Sequence, residues 1–465
     1  MKQILVFLLT IPCVSVLGWA QESVAGSARQ STVKFDLQLN PTGKYLKSQI
    51  TGKPVFLTGE DAWNLSDQLP NSDVRTYLAD RASRGFNAIW VGATAYTYEN
   101  NAPDNFFGQA PFSGPAFTNE NPSFWSHVDY VIHQAADFGI AVFLDPGFVG
   151  FDSGAGYLTA YENSSCSTLT AYGNFLGSRY ANYPNIVWAL GGDWNVNLVS
   201  SARVNCLASG IQAHDAHHLM TAETRRGSST LDVWKNSATM SINWVYLWPS
   251  DIVSLCSSNF SRSGALPTLA GEDYYEGEHS MTALQVRKEG YWGILGGCTA
   301  GRLFGNNPIW CFSSTASVDG RVQCNSAPTW RASLNSAGSI AQEYLGRLMR
   351  SREFWKMVPD ANHAVVTGGY GSGTTLAIGA CTSDNETCIV YDPVGNRQDP
   401  RIAMSHFAGK VQGWWFNPLT ASTTNLGTFP NSGTRAFTPP DGNDWVLVLD
   451  VASAKLPAPG TGSFQ

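Results

Sequence analysis

Two carboxylates each end an apolar run that has the composition of a buried strand. Asp193 ends the run that begins at Ile186, and Glu272 ends the run that begins at Pro267. Small residues precede both acids, which predicts that each carboxylate lies at the C-terminal end of its strand. In (β/α)₈ barrels the catalytic groups lie at that end. Two such acids suit glycoside hydrolysis, in which one group protonates the leaving oxygen and the other attacks the sugar or activates water.

The sequence around Asp193 favours the role of the acid. Trp188 and Trp194 lie nearby, and an apolar setting raises the pKa of a carboxyl group, as a general acid requires. The two glycines before Asp193 allow the backbone to approach its neighbours closely. The alternative is that Asp193 is the N-cap of the next helix.

The sequence around Glu272 favours the role of the nucleophile. A hydroxyl such as that of Tyr274 would keep the carboxylate ionised and oriented. The alternative is a rim glutamate that is paired with an arginine. Asp273 and Glu276 are the substitutes for Glu272 that the sequence leaves open.

Strand-like and helix-like segments alternate between about residues 55 and 305, which predicts a (β/α)₈ TIM barrel of class α/β. The alternative, a doubly wound open sheet, has no phosphate-binding glycine motif to support it. The predicted strands are Val55–Thr58, Asn87–Gly92, Ile140–Leu144, Ile186–Leu190, His218–Ala222, Met240–Tyr246, Pro267–Ala270 and Cys298–Phe304. Predicted helices include Ser72–Gly85, Pro122–Gly139, Leu169–Tyr183 and Ser201–Ala213.

From about residue 363 the pattern changes to short alternating strands separated by turn residues, which predicts a small all-β sandwich. We place the barrel at residues 21–357 and the sandwich at residues 358–465. The sandwich is expected to brace the barrel, with sugar binding as the alternative, and the tail after Lys455 is expected to be loose. The predicted strands are Ala364–Thr367, Thr375–Cys381, Thr387–Tyr391, Gly413–Asn417 and Trp445–Leu449.

The composition points to a carbohydrate as the partner. Aromatic residues make up 12% of the 465 residues, with 16 Trp, and charged residues make up only 14%. The net charge of −7 argues against nucleic acid and anionic membranes as partners. We expect a monomer without a cofactor.

The first 20 residues are typical of a secretory signal peptide. Lys2 is followed by an apolar run from Ile4 to Leu17, too short to span a membrane, and then by the small residues Gly18 and Ala20. Cleavage would leave Gln21 as the first residue of a secreted, extracellular chain.

Eight cysteines remain after the predicted signal, and an even number in a secreted chain predicts four disulfides. We propose the pairs Cys166–Cys206, Cys256–Cys298, Cys311–Cys324 and Cys381–Cys388, out of about 105 possible connectivities. The glycosylation sequons are at Asn163, Asn259 and Asn385, which could carry glycan, and at Asn64, which is expected to be unmodified.

No metal site is predicted. His214, His217 and His218 have a spacing that could bind a metal, but they have no clear carboxylate partner in the sequence, so a surface or capping role is favoured.

Several segments resemble the apiosidase-like family of glycoside hydrolases, over about residues 36–450. They are Gly43–Leu46, Gly52–Trp63, Tyr77–Asn87, Phe124–Tyr130, Leu176–Tyr180 and Pro184–Asp193. The C-terminal part resembles the module, often labelled collagen-binding, that follows these barrels, through Val358–Asp360, His363, Val366–Tyr370 and Asp444–Val448. The resemblance implies a TIM barrel that releases branched apiose from a plant pectin. It places the acid/base on Asp193 and the nucleophile on Glu272.

Around this pair we expect a ring of substrate-binding residues from the ends of several strands. For the sixth strand, inward-facing Asn243 and inward-facing Trp244 are equal alternatives. The expected residues are Glu60, Asp61, Trp63, Trp194, Asn243, Trp244, Tyr246, Tyr274, Arg302, Asn306 and Trp310.

The chain departs from the family pattern at two positions on the rim. Glu223 and the arginines Arg225 and Arg226 replace a His-Pro pair after the fifth strand, and Arg302 replaces a histidine after the eighth. These changes leave open another furanoside or an acidic oligosaccharide. We therefore predict a secreted glycoside hydrolase, with a retaining mechanism favoured. The alternatives are a different glycosidic linkage or a non-catalytic carbohydrate- or matrix-binding protein on the same scaffold.

Overall fold

The computed structural model describes residues 37–39, 43–94, 102–152, 154, 156–235, 238–312 and 329–464. The predicted signal peptide, residues 1–20, lies outside the described residues. No helix among the described residues is both long enough and apolar enough to span a membrane.

Eight parallel strands form a TIM barrel, which confirms the predicted fold. The first strand begins two residues after the predicted start, and its end includes both Glu60 and Asp61. In chain order the strands are β1 Leu57–Asp61, β2 Ala88–Gly92, β3 Ala141–Asp145, β4 Ile186–Trp194, β5 Leu219–Thr224, β6 Asn243–Tyr246, β7 Thr268–Glu272 and β8 Gly301–Phe304.

The barrel is hydrogen-bonded from β5 through β4, β3, β2, β1, β8 and β7 to β6. Between β5 and β6 individual hydrogen bonds take the place of a regular β-sheet pairing. The Thr221 hydroxyl donates to the carbonyl oxygen of Ile242 at 3.0 Å, and the Ser241 N–H donates to that of Met220 at 2.8 Å. The short strand Ser228–Ser229 pairs antiparallel with β6. These contacts bring the C-terminal ends of all eight strands to one rim.

Helices surround the barrel and begin at sequence signals that satisfy their first N–H groups. Asn121 caps the helix that begins at Pro122, and Thr282 forms a capping box with Gln285. The helices are Leu65–Gln68, Asn71–Ser83, Pro122–Asp137, Leu158–Asn163, Cys166–Tyr180, Ser201–His214, Thr230–Val233, Ile252–Ser261, Ala283–Gly296, Asn307–Trp310, Trp330–Ser333 and Ala337–Arg350.

The barrel interior is filled with aromatic side chains rather than open. The ring centroids of Trp90 and Trp244 are 4.3 Å apart, and those of Trp63 and Trp90 are 4.8 Å apart. Phe143 packs against Trp244 from β3. A filled interior leaves the rim as the place for a ligand.

The C-terminal part consists of antiparallel sheets, a six-stranded and a three-stranded one. Along Trp445–Val451 the side chains alternate. Val446 and Val448 pack with the barrel helices, whereas Leu447 and Leu449 pack in the core between the two sheets. The strands are Met357–Pro359, Val366–Gly368, Ile378–Thr382, Thr387–Asp392, Arg401–Ala403, Val411–Phe416, Thr423–Phe429, Thr434–Ala436 and Trp445–Val451. A further three-stranded sheet, Leu37–Leu39, Leu46–Ser48 and Pro54–Val55, precedes the barrel.

Two buried ion pairs join this part to the barrel. Arg287, on helix Ala283–Gly296, donates two hydrogen bonds of 2.8 Å to Asp444. Arg352 donates to both carboxylate oxygens of Asp450, at 2.9 and 2.8 Å. Paired bonds between planar groups fix orientation as well as distance. The sheets thus brace the barrel.

Three of the four predicted disulfides are present: Cys166–Cys206, Cys256–Cys298 and Cys381–Cys388. Cys324 lies outside the described residues, so the pair with Cys311 stays a prediction.

Two other expectations are wrong. Asn259 is buried inside helix Ile252–Ser261, where its side-chain oxygen accepts hydrogen bonds from Ser229 and Asn243, so a glycan does not fit there. The tail after Lys455 is not loose, because Arg352 donates to the carbonyl oxygen of Pro457 and the Phe464 N–H donates to that of Arg350.

Candidate active site

Asp193 projects from a β-bulge at the end of β4. The pairing of β4 with β5 shifts between Gly191 and Trp194, and Gly191, Gly192 and Asp193 all have positive φ, at 100°, 84° and 47°. A Cβ on Gly191 would lie 2.1 Å from the Glu223 carbonyl oxygen, and a Cβ on Gly192 would lie 2.3 Å from the Phe148 ring. Only glycine fits at both positions. The strained backbone therefore turns the Asp193 carboxyl into the barrel mouth.

We expect Gly192→Ala to displace Asp193 and to lower both stability and activity. The added methyl group meets the Phe148 ring, and the positive φ adds about 1–2 kcal/mol of strain. Thermal unfolding and sugar release measure the two effects. Gly264→Ala is the matched control, because Gly264 has a φ of +72° but no atom within 4 Å of its added Cβ. Equal losses in both variants would contradict the role of the close contact.

Glu272 ends β7 on the opposite side of the mouth. The register between β6 and β7 shifts so that Tyr246 lies opposite Glu272, and the Leu247 N–H donates to the Glu272 carbonyl oxygen at 2.8 Å. Gly271, the preceding residue, packs against the ring of Trp244, where a Cβ would lie 2.0 Å away. Glu272 is thus held by the backbone of the neighbouring strand.

Tyr246 and Arg226 connect the two carboxyls. Burial raises the pKa of Asp193, while Arg226 and the Tyr246 hydroxyl lower it. Burial raises the pKa of Glu272 to about 7, although Arg226 and the Tyr246 hydroxyl lower it. Arg226 Nη2 donates to the Tyr246 hydroxyl at 2.6 Å. One tyrosine hydroxyl therefore lies beside both Asp193 and Glu272.

Two further carboxyls point into the same cluster. Glu223, near the end of β5, has a pKa well above its usual value because of burial and the neighbouring Glu272. Asp61, at the end of β1, also has a strongly raised pKa, from burial, Glu272 and Asp273. Asp61 belongs to the predicted ring, whereas Glu223 was noted only as a change in the rim.

Three of the predicted ring residues lie on the outer face of the barrel. Glu60 pairs with Arg81 at 3.1 Å and accepts a hydrogen bond from Tyr77 at 2.7 Å. Arg302 pairs with Asp273. The third residue is Asn243, which bonds to Asn259. Neighbouring residues of a strand point to opposite faces, and Asp61 and Trp244 take the inner positions.

The remaining predicted residues divide between the interior, the outer core and the rim. Trp63 donates to the Tyr275 hydroxyl at 2.9 Å inside the barrel, and Trp194 donates to the Val199 carbonyl oxygen in the outer core. Tyr274 packs against Arg226 at the rim. At the rim, too, Asn306 bonds to Glu276 and Trp310 to Glu278. Of the predicted ring residues, Tyr246 interacts with both Asp193 and Glu272, and Asp61 interacts with Glu272.

The substitutes considered for Glu272 are engaged elsewhere. Asp273 is paired with Arg302 outside the barrel wall, and Glu276 accepts hydrogen bonds from the Gly338 N–H and from Asn306. Neither carboxyl interacts with Asp193.

Sequence reasoning missed the aromatic surroundings of Arg226. Its guanidinium lies 4.6 Å from the ring centre of Tyr246, 4.9 Å from that of Trp248 and 4.7 Å from that of Tyr274. Trp248 is 41% exposed and lies two residues after the end of β6. The sequence signal that could have revealed this surface is an aromatic residue two positions after a strand end, which places it at the rim.

The histidines lie at the other end of the barrel. His218, just before β5, bonds through Nδ1 to Asp215 at 2.6 Å, and His217 lies 3.3 Å from the same carboxylate. Asp215 is therefore the carboxylate partner that the sequence did not reveal. Asp215 also accepts hydrogen bonds from the Trp188 indole and from the His218 N–H, so it joins these histidines to the turn before β5.

The comparisons with known proteins agree with this geometry. The family model "Apiosidase-like, catalytic domain" matches residues 40–356, and "Putative collagen-binding domain of a collagenase" matches residues 358–450. A solved structure described as a glycoside hydrolase is 26% identical, covers 90% of this chain and 97% of its own, and has a TM-score of 0.79.

A glycoside hydrolase family 5 structure from Bacteroides vulgatus is 24% identical, covers 90% of this chain and 93% of its own, and also has a TM-score of 0.79. No curated protein matches the chain. The barrel, its acidic rim and the match over most of the chain agree: the protein belongs to the apiosidase-like family of glycoside hydrolases.

Proposed function

We propose that this glycoside hydrolase retains anomeric configuration, with Glu272 as the nucleophile and Asp193 as the acid and then the base. The observation that carries the proposal is the position of the Tyr246 hydroxyl beside both carboxyls at the barrel mouth. Two carboxyls that share one hydroxyl lie within about two hydrogen-bond lengths, on the order of 5–7 Å. This range includes the whole of the separation used in retention, about 5–5.5 Å, and only the lower edge of that used in inversion, about 6.5–9.5 Å, which is why we favour retention.

Each group then has a defined part in the reaction. A Glu272 oxygen attacks the anomeric carbon while Asp193 gives its proton to the leaving oxygen, which breaks the glycosidic bond. Asp193 next takes a proton from water, whose oxygen attacks the same carbon and releases Glu272 as a carboxylate. Arg226 and Tyr246 stabilise the ionised form of Glu272 before it attacks and again when water releases it.

We expect kcat/KM to fall as the pH drops below about 7, because Glu272 has a pKa of about 7 and must be ionised to attack. It also falls at higher pH, because Asp193 must be protonated and burial raises its pKa. A pH profile of kcat/KM measures both limbs. An acid limb near the ordinary glutamate value of 4.5 would contradict the assignment of Glu272.

The substrate we favour is a furanosyl, apiose-like linkage in a plant or microbial polysaccharide, on the basis of the family match. A second candidate is a linkage to an acidic sugar. It is favoured by Arg226, whose Nε is buried without a hydrogen-bond partner among the described residues beside the exposed Trp248 ring.

Sugar release from a panel of polysaccharides separates these candidates. The panel holds apiose-bearing pectin, neutral furanosides and uronate-bearing oligosaccharides, and NMR follows the anomer formed first. Release of apiose with retained configuration supports the first candidate, and release only from uronate-bearing substrates supports the second. An inverted first product would overturn the retaining mechanism.

We also propose that the protein is secreted and acts as a monomer. Three disulfides in one chain support an oxidising compartment, and all residues of the carboxyl cluster come from a single chain. N-terminal sequencing of the secreted form, expected to begin at Gln21, and light scattering test these proposals. An uncleaved chain or a dimer mass would contradict them.

A further inference from the structure

Glu223 lies where a substrate-binding role does not explain it. It occupies an inward-facing position of β5 and has no exposed surface. Both of its carboxyl oxygens are buried, and among the described residues neither accepts a hydrogen bond from an N–H or a hydroxyl group. A buried carboxylate without a donor is costly, whereas a protonated carboxyl that donates a hydrogen bond is not.

The neighbour that can accept such a bond is Glu272. The two side chains are in hydrogen-bonding contact, which requires a proton between them because two carboxylates only accept. Like charges in contact cannot both remain ionised, so the pair holds one proton. Arg226 and Tyr246 stabilise negative charge on Glu272, whereas the largest influences on Glu223 are burial and the acids Glu272, Asp193 and Asp61, all of which favour its protonated form. The proton therefore resides on Glu223.

We propose that Glu223 is a positioning residue for the reaction proposed above, because it donates a hydrogen bond that holds Glu272 ionised and aimed at the anomeric carbon. The strongly raised pKa of Glu223 agrees with this direction of donation. Beside the pair lie Asp61 from β1, Asp193 from β4 and Arg226 after β5. Tyr246 and Tyr275 complete the surroundings.

The charge of the pair follows from this arrangement. With the proton on Glu223, the pair carries one negative charge, which Arg226 nearby can balance. Replacing Glu223 by alanine removes the donor, so Glu272 becomes easier to protonate. Replacing Glu223 by glutamine keeps an N–H donor of similar reach but removes the ionisable carboxyl proton.

Kinetics test the proposal through the pH profile. Glu223→Ala is expected to move the acid limb of kcat/KM upward by about one pH unit or more, the effect of losing one hydrogen bond to a charged group. Glu223→Gln is expected to move it by much less and to restore most of the activity that Glu223→Ala loses at pH 6. Equal profiles for the two variants, or an unmoved limb in Glu223→Ala, would overturn the proposal.

A substrate-free measurement keeps this result separate from the proposed function. Carboxyl ¹³C NMR of the protein with labelled Glu side chains follows the assigned Glu272 signal, which should titrate at a higher pH in Glu223→Ala than in the wild type or in Glu223→Gln. A Glu272 titration that does not move in Glu223→Ala would overturn the proposal even in an active enzyme. If the titration moves but no substrate is released, the pair stands and the proposed function fails.

Discussion

Glu272→Gln is expected to lower kcat/KM at least about 10³-fold while the fold remains intact, since glutamine cannot form the glycosyl-enzyme. Asp193→Asn is expected to lose on the order of 10²–10⁴-fold, with the larger loss on substrates with poor leaving groups, because it removes the proton donor. Kinetics on two substrates that carry the same sugar but a good or a poor leaving group measure both losses of kcat/KM. A leaving-group-independent loss in Asp193→Asn would contradict its role as the acid.

Glu276→Gln is the matched control for Glu272→Gln. Glu276 lies four residues further along the chain, and its carboxylate accepts the Gly338 N–H at 2.9 Å, a bond that a glutamine oxygen can replace. We expect less than a tenfold loss, about 1.4 kcal/mol of transition-state stabilisation. A larger loss than in Glu272→Gln would reassign the nucleophile.

Stability gives Glu272→Gln a second readout. The pKa of Glu272 rises from 4.5 to about 7 on folding, so the folded state favours the protonated form and loses stability as the pH rises through this window. The glutamine variant carries no charge to bury. Its thermal midpoint should exceed that of the wild type at pH 8, and the difference should vanish below pH 4.5.

Arg352→Met is expected to destabilise the protein by about 3–5 kcal/mol, the cost of leaving a buried carboxylate without its partner. Arg352 is fully buried, and its guanidinium holds Asp450 through two bonds. The same side chain donates to the Pro457 carbonyl oxygen in the tail. Denaturant unfolding measures the loss.

Two comparisons isolate the buried pair. Arg352→Met combined with Asp450→Leu should recover much of the lost stability, because no unpaired charge remains. Lys356→Met breaks a partly exposed pair with Asp384, which also joins the barrel to the sheets, and should cost about 1 kcal/mol or less. A small loss in Arg352→Met, equal to that of Lys356→Met, would contradict the bracing role.

The eight strands could be predicted because most of them contain an apolar run, as expected for a parallel sheet covered on its outer face. The strand-end positions of Asp193 and Glu272 could be predicted for the same reason, since both acids directly end such runs. Glu223 follows the run of β5 by the same rule, but its importance depends on contact with Glu272, which a sequence does not show.

The inward or outward direction of a side chain was the least predictable feature. Glu60 and Asp61 are adjacent acids at the same strand end, yet one pairs with Arg81 outside the barrel and the other joins the cluster. A shift of one residue in the pairing register of β1 would exchange their positions. The direction of Arg302 was also wrongly predicted, because its partners, Asp273 after β7 and Gln342 on helix Ala337–Arg350, are distant in sequence.

The most direct test of the central claim compares sugar release by the wild type, Asp193→Ala and Glu272→Ala on the polysaccharide panel, including apiose-bearing pectin. We predict release by the wild type and its loss in both variants, with far-UV circular dichroism unchanged. Release that persists in either variant would contradict the assignment of the catalytic pair.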